Sequence, residues 1–117
     1  MKPTSLMALT LLAAIASSSV LAEQSGKDVY AKVCVTCHAS GLAGAPRFGN
    51  AGDWGPRAAG GTAALYQSAL NGTAKGMPAK GGNTALSDAE AKAAVDYMLA
   101  SVKESSKKAE AKKDESK

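Results

Sequence analysis

Both cysteines and the only histidine of this chain lie within five consecutive residues, Cys34-Val35-Thr36-Cys37-His38. A C-x-x-C-H motif is typical of c-type haem attachment, because one short turn presents two thiols to one edge of a planar ring. Each thiol adds across a vinyl group, and the adjacent histidine lies beneath the iron as an axial ligand. The sequence therefore predicts one covalently attached haem c, held by Cys34, Cys37 and His38.

Other interpretations of the motif are a redox-active disulfide, a structural zinc site or a chance occurrence. The disulfide is typical of a βαβ surrounding, and no such pattern flanks Cys34 and Cys37. A structural zinc site needs about four ligands, and the chain offers two cysteines and one histidine. Haem attachment is the interpretation that the rest of the sequence favours.

The N-terminus has the organisation of a secretory signal. Lys2 precedes an apolar run over residues 6–15, and Val20-Leu21-Ala22 closes the segment with residues that suit a signal peptidase. The apolar run is too short for a membrane span, which needs about 20 residues. We expect residues 1–22 to be cleaved and the protein to be periplasmic, without stable membrane insertion; the alternative is an uncleaved anchor.

The remaining sequence, 23–117, suffices for one small domain that is poor in large core residues. The whole chain has one Trp, one Phe and three Tyr against 12 Gly. Small domains bury a small fraction of their surface, so a large planar cofactor would complete the core. The formal net charge is +4, but the basic residues form no stripe and are not interleaved with aromatic ones, which excludes a nucleic-acid role.

The hydrophobic pattern predicts an all-α domain over residues 23–102, with about three to four helices around the haem. Ser25 and Ser87 each have the spacing of a helix N-cap, and Thr62 can cap a third helix over 63–70. The last helix has an apolar stripe of six residues: Ala91, Ala94, Val95, Met98, Leu99 and Val102.

Between the helices, the Gly- and Pro-rich segment 39–61 is predicted to be mainly loop, and 73–84 a second loop. Residues 103–117 contain only Lys, Glu, Asp, Ser and Ala. Without an apolar stripe this segment can bury nothing, so we expect a solvated or frayed tail.

His38 is the only histidine, so the sixth iron ligand must be a methionine, something weaker, or nothing. Met1 and Met7 lie in the predicted signal, which leaves Met77 and Met98. Met98 lies on the apolar stripe of the last helix, where a core methionine is usual. Met77 lies in the loop Gly76-Met77-Pro78, where an extended backbone can approach a ring closely. We therefore expect Met77 to be the ligand.

Two further residues have alternative roles. Pro46 either makes its loop rigid or offers its carbonyl to the imidazole N–H of His38, since a ligating histidine nearly always has such a partner. Trp54 either fills the core or directs its indole N–H to a haem propionate.

The order of these motifs resembles class I c-type cytochromes, most closely the short bacterial cytochrome c-five type, over residues 25–101. This resemblance implies that His38 and Met77 are the axial ligands, that Pro46 is the partner of His38, and that the first helix crosses the last near Tyr97. One departure is Asn83 and Leu86, where such cytochromes often carry a second cysteine pair. The resemblance is carried by these segments: Gly26 to Tyr30, Cys34 to His38, Gly44-Ala45-Pro46-Arg47, Trp54-Gly55-Pro56-Arg57, Ser68 to Gly72, Gly76-Met77-Pro78 and Ala94 to Leu99.

A His/Met haem leaves the iron no open position for a substrate, so we expect a monomeric single-electron carrier and not an enzyme. The resemblance implies a quinol-oxidising complex as donor and a terminal oxidase or reductase as acceptor. Two alternatives stay open: a module with a labile Met77 that binds small ligands or peroxide, and a membrane-tethered cytochrome subunit. The predicted rim of the haem edge consists of small residues with two lysines nearby: Ala39, Ala74, Gly76, Ala79, Gly81, Lys75 and Lys80.

Overall fold

A computed structural model describes residues 22–116, and the regular elements in this part of the chain are all helices, with no strand. The predicted signal segment 1–22 lies outside the described residues except for Ala22. The all-α prediction is confirmed. The elements in chain order are α1 (Gly26–Val29), a π-helical segment (Tyr30–Cys34), α2 (Val35–His38), a short turn of helix (Leu42–Gly44), α3 (Ala51–Ala58), α4 (Thr62–Asn71), a second short turn (Ala79–Gly82) and α5 (Asp88–Glu115).

The first three elements form one helical stretch that leads into the haem motif. Ser25 caps it, as expected, by accepting a hydrogen bond from the Asp28 N–H at 3.2 Å. The π-helical segment then widens the helix by one residue, since the Val35 N–H bonds to the Tyr30 carbonyl five residues back. Such π segments are rare and frequent at functional sites. This one ends at Cys34, the first residue of the motif.

The α1 end of this stretch crosses α5 in close backbone contact. A Cβ atom on Gly26 would lie 2.6 Å from the Ala93 carbonyl carbon, closer than real Cβ contacts allow. One turn further on, the rings of Tyr30 and Tyr97 lie 5.6 Å apart, and both contact Phe48. The expected crossing of the first and last helices near Tyr97 is therefore confirmed.

Segment 39–61 is mainly loop and turn, as predicted, but it also contains α3, which the sequence did not indicate. Asn50 caps α3 by accepting from the Asp53 N–H at 3.0 Å. Glycines and Pro56 within the segment argued against a helix, yet the helix forms because Trp54 is buried against the core. Tertiary packing here outweighs local propensity.

Helix α5 begins where predicted and ends later. The Ser87 hydroxyl accepts a hydrogen bond from the Glu90 N–H at 3.1 Å, as its capping pattern predicts. The helix continues without a break to Glu115, so the part after Val102 is largely exposed to solvent, as expected, but is helical and not frayed. Within residues 22–116 no helix is both long enough and apolar enough to cross a membrane.

The core consists of two small clusters of buried side chains that meet at one residue. Val29, Leu86 and Ala94 form the first cluster, and Tyr30, Trp54 and Met98 form the second. Cys34 packs against both clusters. The first thiol of the motif therefore lies at the junction of the core.

Candidate haem site

A largely apolar cavity of about 480 Å³ lies beside the motif. Five of the six predicted site residues line it: Cys37, His38, Pro46, Trp54 and Met77. The sixth, Cys34, lines a small adjoining cavity of about 10 Å³, to which Met77 and Met98 also contribute. The structure thus brings together residues that are up to 43 positions apart in the sequence, as the span from Cys34 to Met77 shows.

The His38 ring is buried and held in one orientation. Its Nδ1 lies 2.8 Å from the Pro46 carbonyl oxygen, which accepts the N–H of that nitrogen. The ring also stacks on Trp54, with centroids 5.8 Å apart and planes 18° apart. Because Nδ1 is the protonated nitrogen, Nε2 is the one that is left with a lone pair for a metal ion.

The loop that carries the Pro46 carbonyl is held by side chains of α3. Asp53 accepts hydrogen bonds from the Arg47 backbone N–H at 3.1 Å and from its Nε at 2.7 Å. The Arg47 guanidinium lowers the pKa of the Asp53 carboxyl to about 2. On the other side, Arg57 donates to the Gly44 carbonyl at 3.1 Å. These contacts fix the position of the carbonyl between them.

Trp54 helps to hold the same loop by a hydrogen bond that the sequence did not reveal. Its indole Nε1–H donates to the Arg47 carbonyl at 2.9 Å, and its ring is 4 % exposed. An indole has one N–H donor, so the proposed bond to a haem propionate is not what this arrangement favours. The Trp54 ring instead supports His38 by stacking.

The segment around Met77 is a tight turn against the end of α4. The Thr73 N–H donates to the Met77 carbonyl at 2.9 Å, and Gly72 leaves no space there for a side chain, since a Cβ would lie 2.6 Å from the same oxygen. Met77 is half-buried and lines both cavities. Met98 lines them too, but it is 2 % exposed and already packed with Tyr30 and Trp54.

The predicted rim is only partly placed at the cavity. Ala74, Lys75 and Gly76 line it, whereas Ala39, Ala79, Gly81 and Lys80 do not. The ammonium group of Lys80 donates to the Leu86 carbonyl at 2.8 Å and does not point to solvent as a docking cation would. Leu42, which the sequence did not indicate, lines the cavity and is 56 % exposed.

The alternatives to haem attachment find little support in this geometry. Burial raises the pKa of the Cys34 thiol, so this thiol is neutral at pH 7, unlike the activated thiolates of redox disulfides. No disulfide joins Cys34 to Cys37 in the part of the chain that the structure describes. Over residues 22–116, no three His, Cys, Asp or Glu side chains cluster closely enough to hold a metal ion by themselves.

The residues that are present fit a haem group. The cavity volume lies within the range of about 300 to 1,000 Å³ that is usual for cofactor sites. Its walls are mostly apolar, Cys37, His38 and Met77 line it, and Cys34 lines the small cavity that adjoins it. Cys34 and Cys37 would hold the ring covalently, and His38 would bind the iron.

Comparisons with known proteins identify the family of this chain. Residues 22–98 match the family described as cytochrome c oxidase, cbb3-type, subunit III. Cytochrome c-555 of Chlorobaculum tepidum is 44% identical over 77 residues, which cover 63% of this chain and 71% of that protein. Cytochrome c5 of Azotobacter vinelandii is 43% identical over 77 residues, covering 64% of this chain and 92% of the relative.

A solved structure gives the same result. A chain in the crystal structure of an electron transfer complex of nitrite reductase with cytochrome c is 43% identical. It superposes with a TM-score of 0.61 over 66% of this chain and 93% of its own length. The matched family covers more than half of the chain, and the cofactor that it implies is one covalently attached haem c. The chain therefore belongs to the cytochrome c family as a small class I cytochrome c.

Proposed function

We propose that this cytochrome is a periplasmic single-electron carrier whose haem iron is bound axially by His38 and Met77. The observation that supports the proposal most is the orientation of His38, because its Nδ1–H is bonded to the Pro46 carbonyl and Nε2 is left for iron. Met77 contributes the thioether that lines the same cavity and is not committed to the buried core.

Each of these residues has a separate part in the function. The Pro46 carbonyl fixes the tautomer of His38 and makes Nε2 a stronger donor. Met77 is a soft ligand, which favours ferrous iron and raises the reduction potential. When bound, haem would supply a one-electron couple, and His38 and Met77 together would leave no position on the iron for a substrate.

Partners are expected to dock at the mouth of the cavity. Leu42 is an exposed large hydrophobic side chain in the cavity lining, and the small exposed residues Ala74 and Gly76 line the same cavity. A quinol-oxidising complex as donor and a terminal oxidase or a reductase as acceptor fit such a carrier. The similar solved cytochrome is described in a complex with nitrite reductase, which supports a reductase as one acceptor class.

The axial ligand is tested by two matched substitutions. Met77→Leu and Met98→Leu each remove one of the two thioethers that line the cavity and keep a side chain of similar volume. We expect the ferric methionine-to-iron charge-transfer band to disappear in Met77→Leu and to persist in Met98→Leu. The opposite pattern would assign the ligand to Met98, and the absence of any haem spectrum in the wild type would refute the whole site.

Carbon monoxide and cell fractionation test the rest of the proposal. The reduced wild-type protein should not bind carbon monoxide without denaturant, since Met77 occupies the sixth position. Binding would favour the module with a labile Met77. The haem protein should be recovered in the periplasmic fraction, and its recovery with membranes after a high-salt wash would favour the tethered subunit.

A further inference from the structure

Lys80 has a strained backbone and a side chain that points inward. Its φ is 53°, and Lys80 is one of two non-glycine residues with positive φ among residues 22–116. Non-glycine residues in this region are strained and persist where the surrounding structure holds them. The Lys80 side chain is 20% exposed, although lysine side chains usually extend into solvent.

Two contacts hold the Lys80 ammonium group. It donates a hydrogen bond to the Leu86 carbonyl at 2.8 Å and forms an ion pair with Asp88 at 3.0 Å. The Asp88 side chain is 69% exposed, so solvent screens the ion pair and its contribution is small. The bond to the carbonyl oxygen is therefore the main anchor, because a charged donor strengthens a hydrogen bond and the site is partly buried.

This anchor lies between the Met77 turn and the N-terminal end of α5. Lys80 follows Met77 by three residues, and the intervening chain is closed by the Gly81 N–H, which donates to the Pro78 carbonyl at 3.1 Å. Met77, Lys80 and Leu86 line the same small cavity next to Cys34. Motion of this segment away from α5 would therefore carry Met77 with it.

We propose that Lys80 is a positioning residue: its bond to the Leu86 carbonyl latches the Met77 segment to the start of α5 and keeps Met77 on the iron. The proposal rests on the axial role of Met77 proposed above. The bond would also connect this segment to α5 without a disulfide, since Asn83 and Leu86 stand where related cytochromes often carry a cysteine pair. Leu86 still joins the core there, at 5 % exposure.

Displacement of Met77 by imidazole in the ferric holoprotein tests the latch. Lys80→Met keeps the aliphatic stem and an unbranched side chain at the strained position, but removes the ammonium group. At saturating imidazole, where loop opening limits the reaction, the charge-transfer band should disappear about tenfold faster, as expected for the loss of one charge-assisted hydrogen bond. Lys27→Met, which removes the same charge from an exposed position on α1, should react like the wild type.

Amide hydrogen exchange gives a readout that does not depend on the iron ligand. The N–H groups of Gly81 and Leu86 donate to the Pro78 and Asn83 carbonyls, so their exchange reports opening of this segment. In Lys80→Met both should exchange about tenfold faster, whereas Asp88→Asn should change them by less than about twofold. Unchanged exchange together with an unchanged imidazole rate would overturn the latch.

The two measurements also separate this proposal from the axial assignment. If Met77→Leu keeps the charge-transfer band, then Met77 is not the ligand, and the imidazole rate no longer reports the latch. Exchange at Gly81 and Leu86 would still rise in Lys80→Met if the latch exists. If the band is lost in Met77→Leu but Lys80→Met equals Lys27→Met in both assays, only the latch is wrong.

Discussion

Replacing Gly26 by alanine should weaken the crossing between α1 and α5. A Cβ at this position would lie 2.6 Å from the Ala93 carbonyl carbon and 3.2 Å from the Ala94 nitrogen. These atoms belong to the backbone of a helix and cannot rotate away, so the helices must separate. Overpacking of this kind costs about 1 to 3 kcal/mol, and the better helix propensity of alanine offsets less than about 1 kcal/mol.

The net loss of about 1 to 2 kcal/mol should lower the melting temperature of the holoprotein by about 4 to 16 °C, as expected for a domain of this size. Thermal unfolding followed by far-ultraviolet circular dichroism measures it. Gly60→Ala is the matched control, because its Cβ would meet Ala64 only at 3.7 Å and its φ is not positive. A Gly26→Ala protein that melts within about 2 °C of the wild type would refute the close crossing.

Three further predictions concern charge. Asp53→Asn should lower the melting temperature at pH 7, and the difference from wild type should vanish as pH falls from 3.8 to about 2. The pKa of Asp53 is lowered in the folded protein, so its carboxylate stabilises the fold above pH 3.8 and loses that effect as it is protonated. A difference that persists at pH 2 contradicts this. The rate of electron transfer to a partner should fall by less than about threefold between low and high salt, since the cavity lining is mostly apolar; a steep fall refutes apolar docking. Removing residues 103–117 should change the free energy of unfolding by less than about 0.5 kcal/mol, because that helical extension is largely exposed; a larger loss, measured by urea denaturation, would show that it packs on the domain.

The parts of the fold that follow local rules could be predicted from the sequence. The caps at Ser25 and Ser87 and the apolar stripe of α5 are set by residues three or four positions apart, and the structure has them where expected. Helix α3 was missed because its stability comes from burial of Trp54. One local signal was present, namely Asn50 three residues before Asp53, which is a capping pattern.

The partners of the site residues were harder to predict than the residues themselves. The motif Cys34 to His38 and the turn around Met77 could be found by type and spacing. The bond from Trp54 to the Arg47 carbonyl and the bond from Lys80 to the Leu86 carbonyl join a side chain to a backbone atom. Any residue provides a carbonyl, so no sequence pattern marked these two acceptors, whereas the Pro46 carbonyl could be named as the partner of His38.

The two loops that supply Pro46 and Met77 are attached to α5 at two separate points. The Pro46 loop is tied by the Ser101 hydroxyl, which accepts from the Gly49 N–H at 3.1 Å, and the Met77 segment is tied near Asp88 through Lys80. At 1.5 Å per residue these attachments lie about 20 Å apart along the helix. Sites so far apart, with no shared partner, contribute almost independently to stability. A single rigid helix can thus hold the surroundings of both proposed axial ligands while each loop opens on its own, so weakening the Met77 side need not disturb the hydrogen bond that orients His38.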